Sequence, residues 1–423
     1  MKTKTAVLWL LGIVVLLAGG RVFYWTHWRS QIAKSPSFAS RIAKSPSLPL
    51  AARNSPIKWT QVLPDKLTSS PVIGNDGSIY AALFSGAIYA LDRAGALRWT
   101  YHIDLNDIPS ALMRDAEDNL YFSTTKKVFS LTASGHKRWE TECSTPNPFL
   151  RPVQEAALTR DLMFTTCGES FAALDTTDGR ELWELPYSAF QYNTMPVVLR
   201  SGAIVLPEDW SLAAVDRNGN SLWTFPPPKY IAPSPRPGLT VDQMLFSSAI
   251  AVGSDENLYM GSGDGEFSCF TAEGELNWTY NAGPLRGIQF LASPVITSDG
   301  TVIAISTEAS LYAFTSAGEL RWSLPIGNPV KNIIQPSPVL GSDGAIYVLV
   351  AGKLVAFSVG GSKLWELPLP SDAATSPTLA PDGTLYIANI DRTLYAVQTT
   401  SKGLMNSAWP KYQRDPWNSG SSF

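Results

Sequence analysis

Past residue 55 the chain alternates short apolar runs with turn residues at a regular interval. In one unit Ser70-Pro71-Val72-Ile73 leads into Asn75-Asp76-Gly77, and Ile79-Tyr80-Ala81-Ala82-Leu83 follows. A short turn then gives Ile88-Tyr89-Ala90-Leu91, and Gly95 delivers a fourth apolar segment through Trp99. Runs this short, rich in β-branched and aromatic residues and bounded by turn signals, predict strands rather than helices. The same Asp-Gly pair returns at Asp299-Gly300, Asp343-Gly344 and Asp382-Gly383. Such dipeptides tolerate the positive φ that tight hairpins demand. Each unit therefore reads as four antiparallel strands, the content of one propeller blade.

The tryptophans set the period. Trp59, Trp99, Trp139, Trp183, Trp223, Trp278, Trp322, Trp365 and Trp409 are spaced by about 44 residues on average, within the range of propeller repeats. Seven of them follow a glycine by four residues: Gly95, Gly135, Gly179, Gly219, Gly274, Gly318 and Gly361. Nine or ten residues before a tryptophan stands a small side chain, namely Ala90, Ser130, Ala173, Ala214, Cys269, Ala313 or Ala356. A small neighbour lets an indole lie flat against backbone between adjacent sheets, where it buries a large area and its N–H reaches a carbonyl. The expected fold is all-β, an eight-bladed β-propeller of four-stranded antiparallel blades. Its structural docking residues are Trp59, Trp99, Trp139, Trp183, Trp223, Trp278, Trp322 and Trp365.

The stretch Ala173-Leu174-Asp175-Thr176-Thr177-Asp178-Gly179-Arg180-Glu181-Leu182-Trp183 resembles the tryptophan-docking motif of pyrroloquinoline-quinone (PQQ) propeller repeats, and the resemblance covers residues 56–409. That motif specifies the fold and says little about chemistry, because enzymes and non-enzymatic scaffolds share it.

The eighth unit departs from the rule. Trp409 lies thirteen residues after Ala396, whereas Ile57-Lys58-Trp59-Thr60 looks like an orphan fourth strand comparable with Leu97-Arg98-Trp99-Thr100. Residues 56–61 are thus expected to complete the last blade and remove a free sheet edge. The segment Trp409–Pro416 resembles a sequence that often flanks such repeats and is expected to pack on the outside.

Ahead of the repeats, Lys2 and Lys4 precede an apolar run from Ala6 to Ala18. Ala18-Gly19-Gly20 would suit signal-peptidase cleavage, while Phe23, Tyr24, Trp25 and Trp28 equally suit an uncleaved anchor with an interfacial belt. Arg21 and Arg29 put positive charge on the exported side, which a large domain tolerates. No cysteine follows the run closely, so a lipid anchor on cysteine is excluded. A near-duplication, Gln31–Ser37 and Arg41–Ser47, is rich in Ser, Pro and basic residues and reads as a spacer. The expected organisation is a signal peptide or anchor at 1–25, a linker at 26–54, the propeller at 55–410 and a tail at 411–423. The expected location is a bacterial inner membrane facing the periplasm, or the periplasm and beyond after cleavage.

Charge and composition narrow the chemistry. Residues 1–55 hold eight Lys or Arg and no acid, which leaves 25 basic and 36 acidic residues in the remainder. An acidic body lacks the basic face that nucleic acid requires. The three histidines, His27, His102 and His136, form no ligand-spaced cluster. Of the three cysteines, Cys269 occupies a small-residue position and is expected to be a buried, inert thiol. Cys143 and Cys167 fall in adjacent units, and the sequence leaves open whether they pair. A quinone-dependent dehydrogenase on this fold would need a Ca²⁺ site, a catalytic carboxylate and, commonly, adjacent cysteines. The cysteines here are scattered, and the Asp-Gly pairs are accounted for as hairpin turns. No catalytic, cofactor-binding or metal-binding residue is assigned, and no cofactor is expected.

The expected function is a non-catalytic cell-envelope scaffold that binds another envelope protein, with the N-terminal segment at the membrane. The alternatives are a PQQ-dependent dehydrogenase and a glycan- or peptide-sensing ectodomain. Binding residues concentrate on loops carried by a rigid scaffold. The longer connections run between blades, all on one face, and residues 224–246 form the longest. Phe149, Arg151, Tyr230, Arg236 and Arg286 are the candidate partner-binding residues.

Overall fold

The computed structural model describes residues 56–104, 107–144, 156–187, 195–207, 211–225, 248–263, 265–282, 288–328 and 335–422. Two units, Met1–Pro49 and Leu50–Phe423, separate along the chain, and the described residues all belong to the second. Among them thirty-two strands form eight four-stranded antiparallel sheets. Blade 1 comprises Val72–Ile73, Ile79–Leu83, Ala87–Leu91 and Leu97–His102. Blades 2 to 7 repeat this order within residues 113–142, 156–186, 197–225, 251–281, 295–325 and 339–368. Blade 8 joins Thr378–Leu379, Thr384–Ala388 and Thr393–Gln398 to the N-terminal strand Ile57–Val62. The pairing of Trp59 with Ala396 and Val62 with Thr393 closes the ring between the two ends of the chain.

Burial explains the sequence pattern strand by strand. Second strands are covered by a blade on each side, so Ile79–Leu83 and Leu162–Cys167 are buried at every position. Outer strands face solvent and carry mixed sequences such as Leu97–His102, where burial is only partial. The apolar clusters lie between blades rather than within them. One unites Val205 and Ala214 of blade 4, Tyr259 and Phe267 of blade 5 and Phe314 of blade 6.

Each docking tryptophan meets its small partner directly across the sheet: Trp99 opposite Ala90, Trp139 opposite Ser130, Trp278 opposite Cys269. The indole then reaches the following blade. Trp99 donates from Nε1 to Ala133 O at 2.9 Å, and Trp59, Trp183 and Trp223 do the same to Arg93, Arg217 and Ala272 at 2.7–2.9 Å. The ring packs on a glycine of that blade. At Gly135, where φ is +82°, a Cβ would lie 2.7 Å from the Trp99 ring. The glycine four residues before a tryptophan thus serves the indole of the preceding blade. Trp365 has no such glycine among the described residues, because the last strand of blade 8 comes from the N-terminus and no hairpin leads into it.

The Asp-Gly turns are occupied by the blade's own side chains. Asp76 Oδ1 accepts the Ser78 N–H at 2.8 Å, and its other oxygen pairs with Arg98. Burial would raise Asp76, but the hydrogen bonds from Ser78 and Arg98 outweigh it and draw the carboxyl down to about 2. In blade 6, hydrogen bonds from Thr297, then Arg321 and Thr301, hold Asp299 well below the ordinary carboxylate range.

The C-terminal tail differs from expectation. Rather than packing on the outside, it crosses the axial end of the ring and bonds to innermost strands. Trp409 O, Pro410 O, Pro416 O, Trp417 O, Ser419 O and Gly420 O accept from Ile296, Leu340, Ile73, Arg114, Leu158 and Val198. Trp409 is wholly buried among residues of blades 4 to 6. Lys411 is buried too, its Nζ donating to Asn418 Oδ1 at 2.6 Å and to Asp415 O at 3.1 Å. The last backbone N–H of an innermost strand has no fifth strand to pair with. A buried orphan donor is costly, so a chain segment crossing the axis is stabilised there.

Candidate functional site

The antiparallel order gives the ring two unlike faces. Turns between first and second strands and between third and fourth strands emerge on one, here the turn face. Turns between second and third strands, and every connection between blades, emerge on the other, the loop face. The axial mouth at the loop face is bound by serines that begin the innermost strands. Ser337 Oγ accepts from the Ser293 N–H at 2.9 Å, Ser376 Oγ accepts from the Ser337 N–H at 2.8 Å, and Ser70 Oγ donates to Ser376 O at 2.9 Å. These bonds lock blades 6, 7, 8 and 1 to one another beneath the loop face.

On this rigid base, three exposed apolar side chains lie at the loop-face ends of blades 8 and 1. Val62 ends the closing strand, Phe84 lies in the second turn of blade 1, and Ile390 lies in the second turn of blade 8. They are 63%, 46% and 39% exposed. The segment after the closing strand holds both turns in place. Leu63 N–H donates to Arg392 O at 2.9 Å, Arg392 donates to Pro64 O at 3.1 Å, and Phe84 N–H donates to Lys66 O at 3.0 Å. Leu67 bridges Leu83 beneath them. Apolar groups on backbone fixed in this way lose little entropy when a partner covers them. One sequence signal could have found these side chains: Phe84 and Ile390 open the second turns of their blades, where blades 2 and 3 place Thr124-Thr125 and Gly168-Glu169.

The loop face also carries a covalent tie. Cys143, just past the outer strand of blade 2, forms a disulfide with Cys167 at the end of the second strand of blade 3, with Cα atoms 5.2 Å apart. The bridge spans the root of the connection that bears Phe149 and Arg151. Those two residues, with Tyr230, Arg236 and Arg286, lie outside the described residues. Cys269 is buried opposite Trp278, and burial pushes its thiol up to about 12. It is therefore protonated and unreactive at neutral pH. Among the described residues no group of three or more His, Cys, Asp or Glu side chains could hold a metal ion. Among them, too, no helix is long and apolar enough to cross a membrane; the apolar run Ala6–Ala18 lies outside them.

Comparison with known proteins agrees with this architecture. BamB from Moraxella catarrhalis superimposes with a TM-score of 0.64 at 18% identity, covering 81% of this chain and 98% of that one. The computationally designed Ika8 protein gives 0.62 at 12% identity, covering 80% and 98%. The C-terminal WD40 domain of Sif2 gives 0.62 at 7% identity, covering 82% and 99%. Likeness at such low identity reflects the fold alone. No curated protein matches the chain in sequence. A family model described as outer membrane protein assembly factor BamB matches residues 26–209, 134–240 and 208–420. Repeats matched over nearly the whole chain, and the eight-bladed ring they build, make this chain a member of the BamB family.

Proposed function

We propose that this protein is a non-catalytic scaffold of the cell envelope whose loop face docks a segment of another envelope protein. The observation that carries the reading is the set of exposed apolar side chains, Val62, Phe84 and Ile390, that blades 8 and 1 hold on that face. Membership of the BamB family supports it, since that family is described by an assembly factor of the outer membrane. The Cys143–Cys167 bridge supports an oxidising compartment, because such bonds persist outside the cytosol. With the apolar run Ala6–Ala18, this favours a ring held at the periplasmic side of the inner membrane, or released there after cleavage. The sequence offers Phe149, Arg151, Tyr230, Arg236 and Arg286, on connections between blades, as further candidate anchors. Aromatic and arginine side chains are the commonest anchors at interfaces.

The test is a pull-down from native membranes with the full chain and with the variant Val62→Ser, Phe84→Ser, Ile390→Ser. All three side chains are exposed, so the unfolding free energies of parent and variant should stay within about 1 kcal/mol of one another. The reading expects a specific envelope protein to be captured by the parent chain and lost from the variant. Equal capture by both would remove these side chains from the interface. Reduction of a dye by the purified chain supplied with PQQ and Ca²⁺ would overturn the scaffold reading in favour of a dehydrogenase.

A further inference from the structure

The tail is bound as a ligand would be. Six innermost strands, in blades 1, 2, 3, 4, 6 and 7, each donate one backbone N–H to a carbonyl of residues 409–420. These donors read backbone carbonyls alone and carry no sequence preference. Specific contacts sit at three positions. The Trp409 ring fills a wholly buried site between blades. Trp417 lies under the Arg114 guanidinium, 4.7 Å from the ring centroid. Asn418 Nδ2 donates to Leu112 O at 3.1 Å.

The fit is nonetheless imperfect on the tail's side. Its residues supply half of the ten buried polar side-chain atoms without a partner among the described residues: Ser407 Oγ, Trp409 Nε1, both amide atoms of Gln413, and Ser422 Oγ. Gln413 and Arg414 hold φ values of 58° and 70°, which such side chains adopt at a cost. The segment laid across the innermost strands is thus partly strained and under-satisfied. A segment without these faults would bind the same donors more favourably.

We propose that the axial end of the ring is a binding cradle for a turned polypeptide segment, filled here by the protein's own residues 404–422, which a segment supplied in trans can displace. The preferred occupant carries an aromatic residue followed by proline and, seven residues later, a second aromatic residue followed by asparagine, the spacing of Trp409-Pro410 and Trp417-Asn418. This site faces the opposite end of the axis from the loop-face mouth and does not depend on the loop-face reading.

The experiment uses the full chain and a fluorescent synthetic peptide of residues 404–422. Hydrogen exchange first follows the amides of Ile73, Arg114, Leu158, Val198, Ile296 and Leu340. They should exchange together and faster than the amides of Tyr80 and Tyr121 inside the blades, because the tail opens as a unit. Peptide should then bind with one-to-one stoichiometry. Trp417→Ala, which removes the cation–π contact with Arg114 from the resident tail only, should bind it about five- to tenfold more tightly. Exchange of the six amides only with the middle strands would show the tail to be a permanent part of the core and overturn the proposal. So would peptide bound while the six amides keep their full protection, since that places it elsewhere on the surface.

Discussion

Gly135→Ala tests inter-blade docking in isolation. The added methyl would stand 2.7 Å and 2.8 Å from Trp99 ring carbons, and the residue sits at φ +82°. Two costs follow. A side chain in the left-handed region loses about 1–2 kcal/mol, and forcing a methyl into a filled contact adds about 1–3 kcal/mol. Gly300→Ala separates them, because Gly300 has φ +78° and nothing within 4 Å of its would-be Cβ. The change in unfolded-chain entropy is common to both and cancels. Urea unfolding followed by tryptophan fluorescence should therefore show Gly135→Ala less stable than Gly300→Ala by about 1–3 kcal/mol, with an unchanged slope. In a Trp99→Ala background the excess should vanish, since the colliding ring is gone; the coupling in that double-mutant cycle is the docking contact itself. Equal losses at the two glycines, or an excess that survives removal of Trp99, would refute the claim that these glycines exist to receive the neighbouring indole.

Other consequences follow from the same geometry. Thiol counting after denaturation without reductant should find one free thiol, Cys269, and three after reduction; breaking the bridge, whose ends are 24 residues apart, should cost about 3 kcal/mol. Asp76 is depressed to about 2 and Asp299 is also depressed, so their contribution is complete above the ordinary carboxylate pKa of about 4 and is lost as pH falls through 2. Both side chains are about half exposed, so Asp76→Asn should remove no more than about 1 kcal/mol at pH 7 and flatten the acid limb of an unfolding titration. Deleting residues 51–62 should uncover the edge of Thr393–Gln398 and cause aggregation, whereas deleting residues 1–50 should leave a soluble ring; identical behaviour of the two truncations would contradict closure by Ile57–Val62.

The ring was legible because it is repeated. Each small residue opposite a tryptophan, such as Ala90 or Ala356, appears once per blade and so declares its role by recurrence. The orphan strand around Trp59 was legible for the same reason, as the missing fourth member of blade 8. What occurs once was harder to read. The tail shares no register with the repeats, and Trp409 falls near the tryptophan period while filling an axial site rather than an outer strand. Which blade a glycine serves was hidden too, since the period sets its spacing to one tryptophan while contact is made with another. That Val62, Phe84 and Ile390 are exposed on the loop-face ends of adjoining blades depends on both ends of the chain, which only closure of the ring joins.

The account's central claim, that the loop face is the docking face, is tested most directly by photo-crosslinking in living cells. A photoreactive residue replaces Phe84 on the loop face in one strain and Val359 on the turn face in another; the two are 46% and 40% exposed, so both are accessible to a neighbour. The account predicts a discrete crosslink to another envelope protein from position 84 and none from position 359. A crosslink from position 359 alone, or the same adduct from both positions, would contradict it.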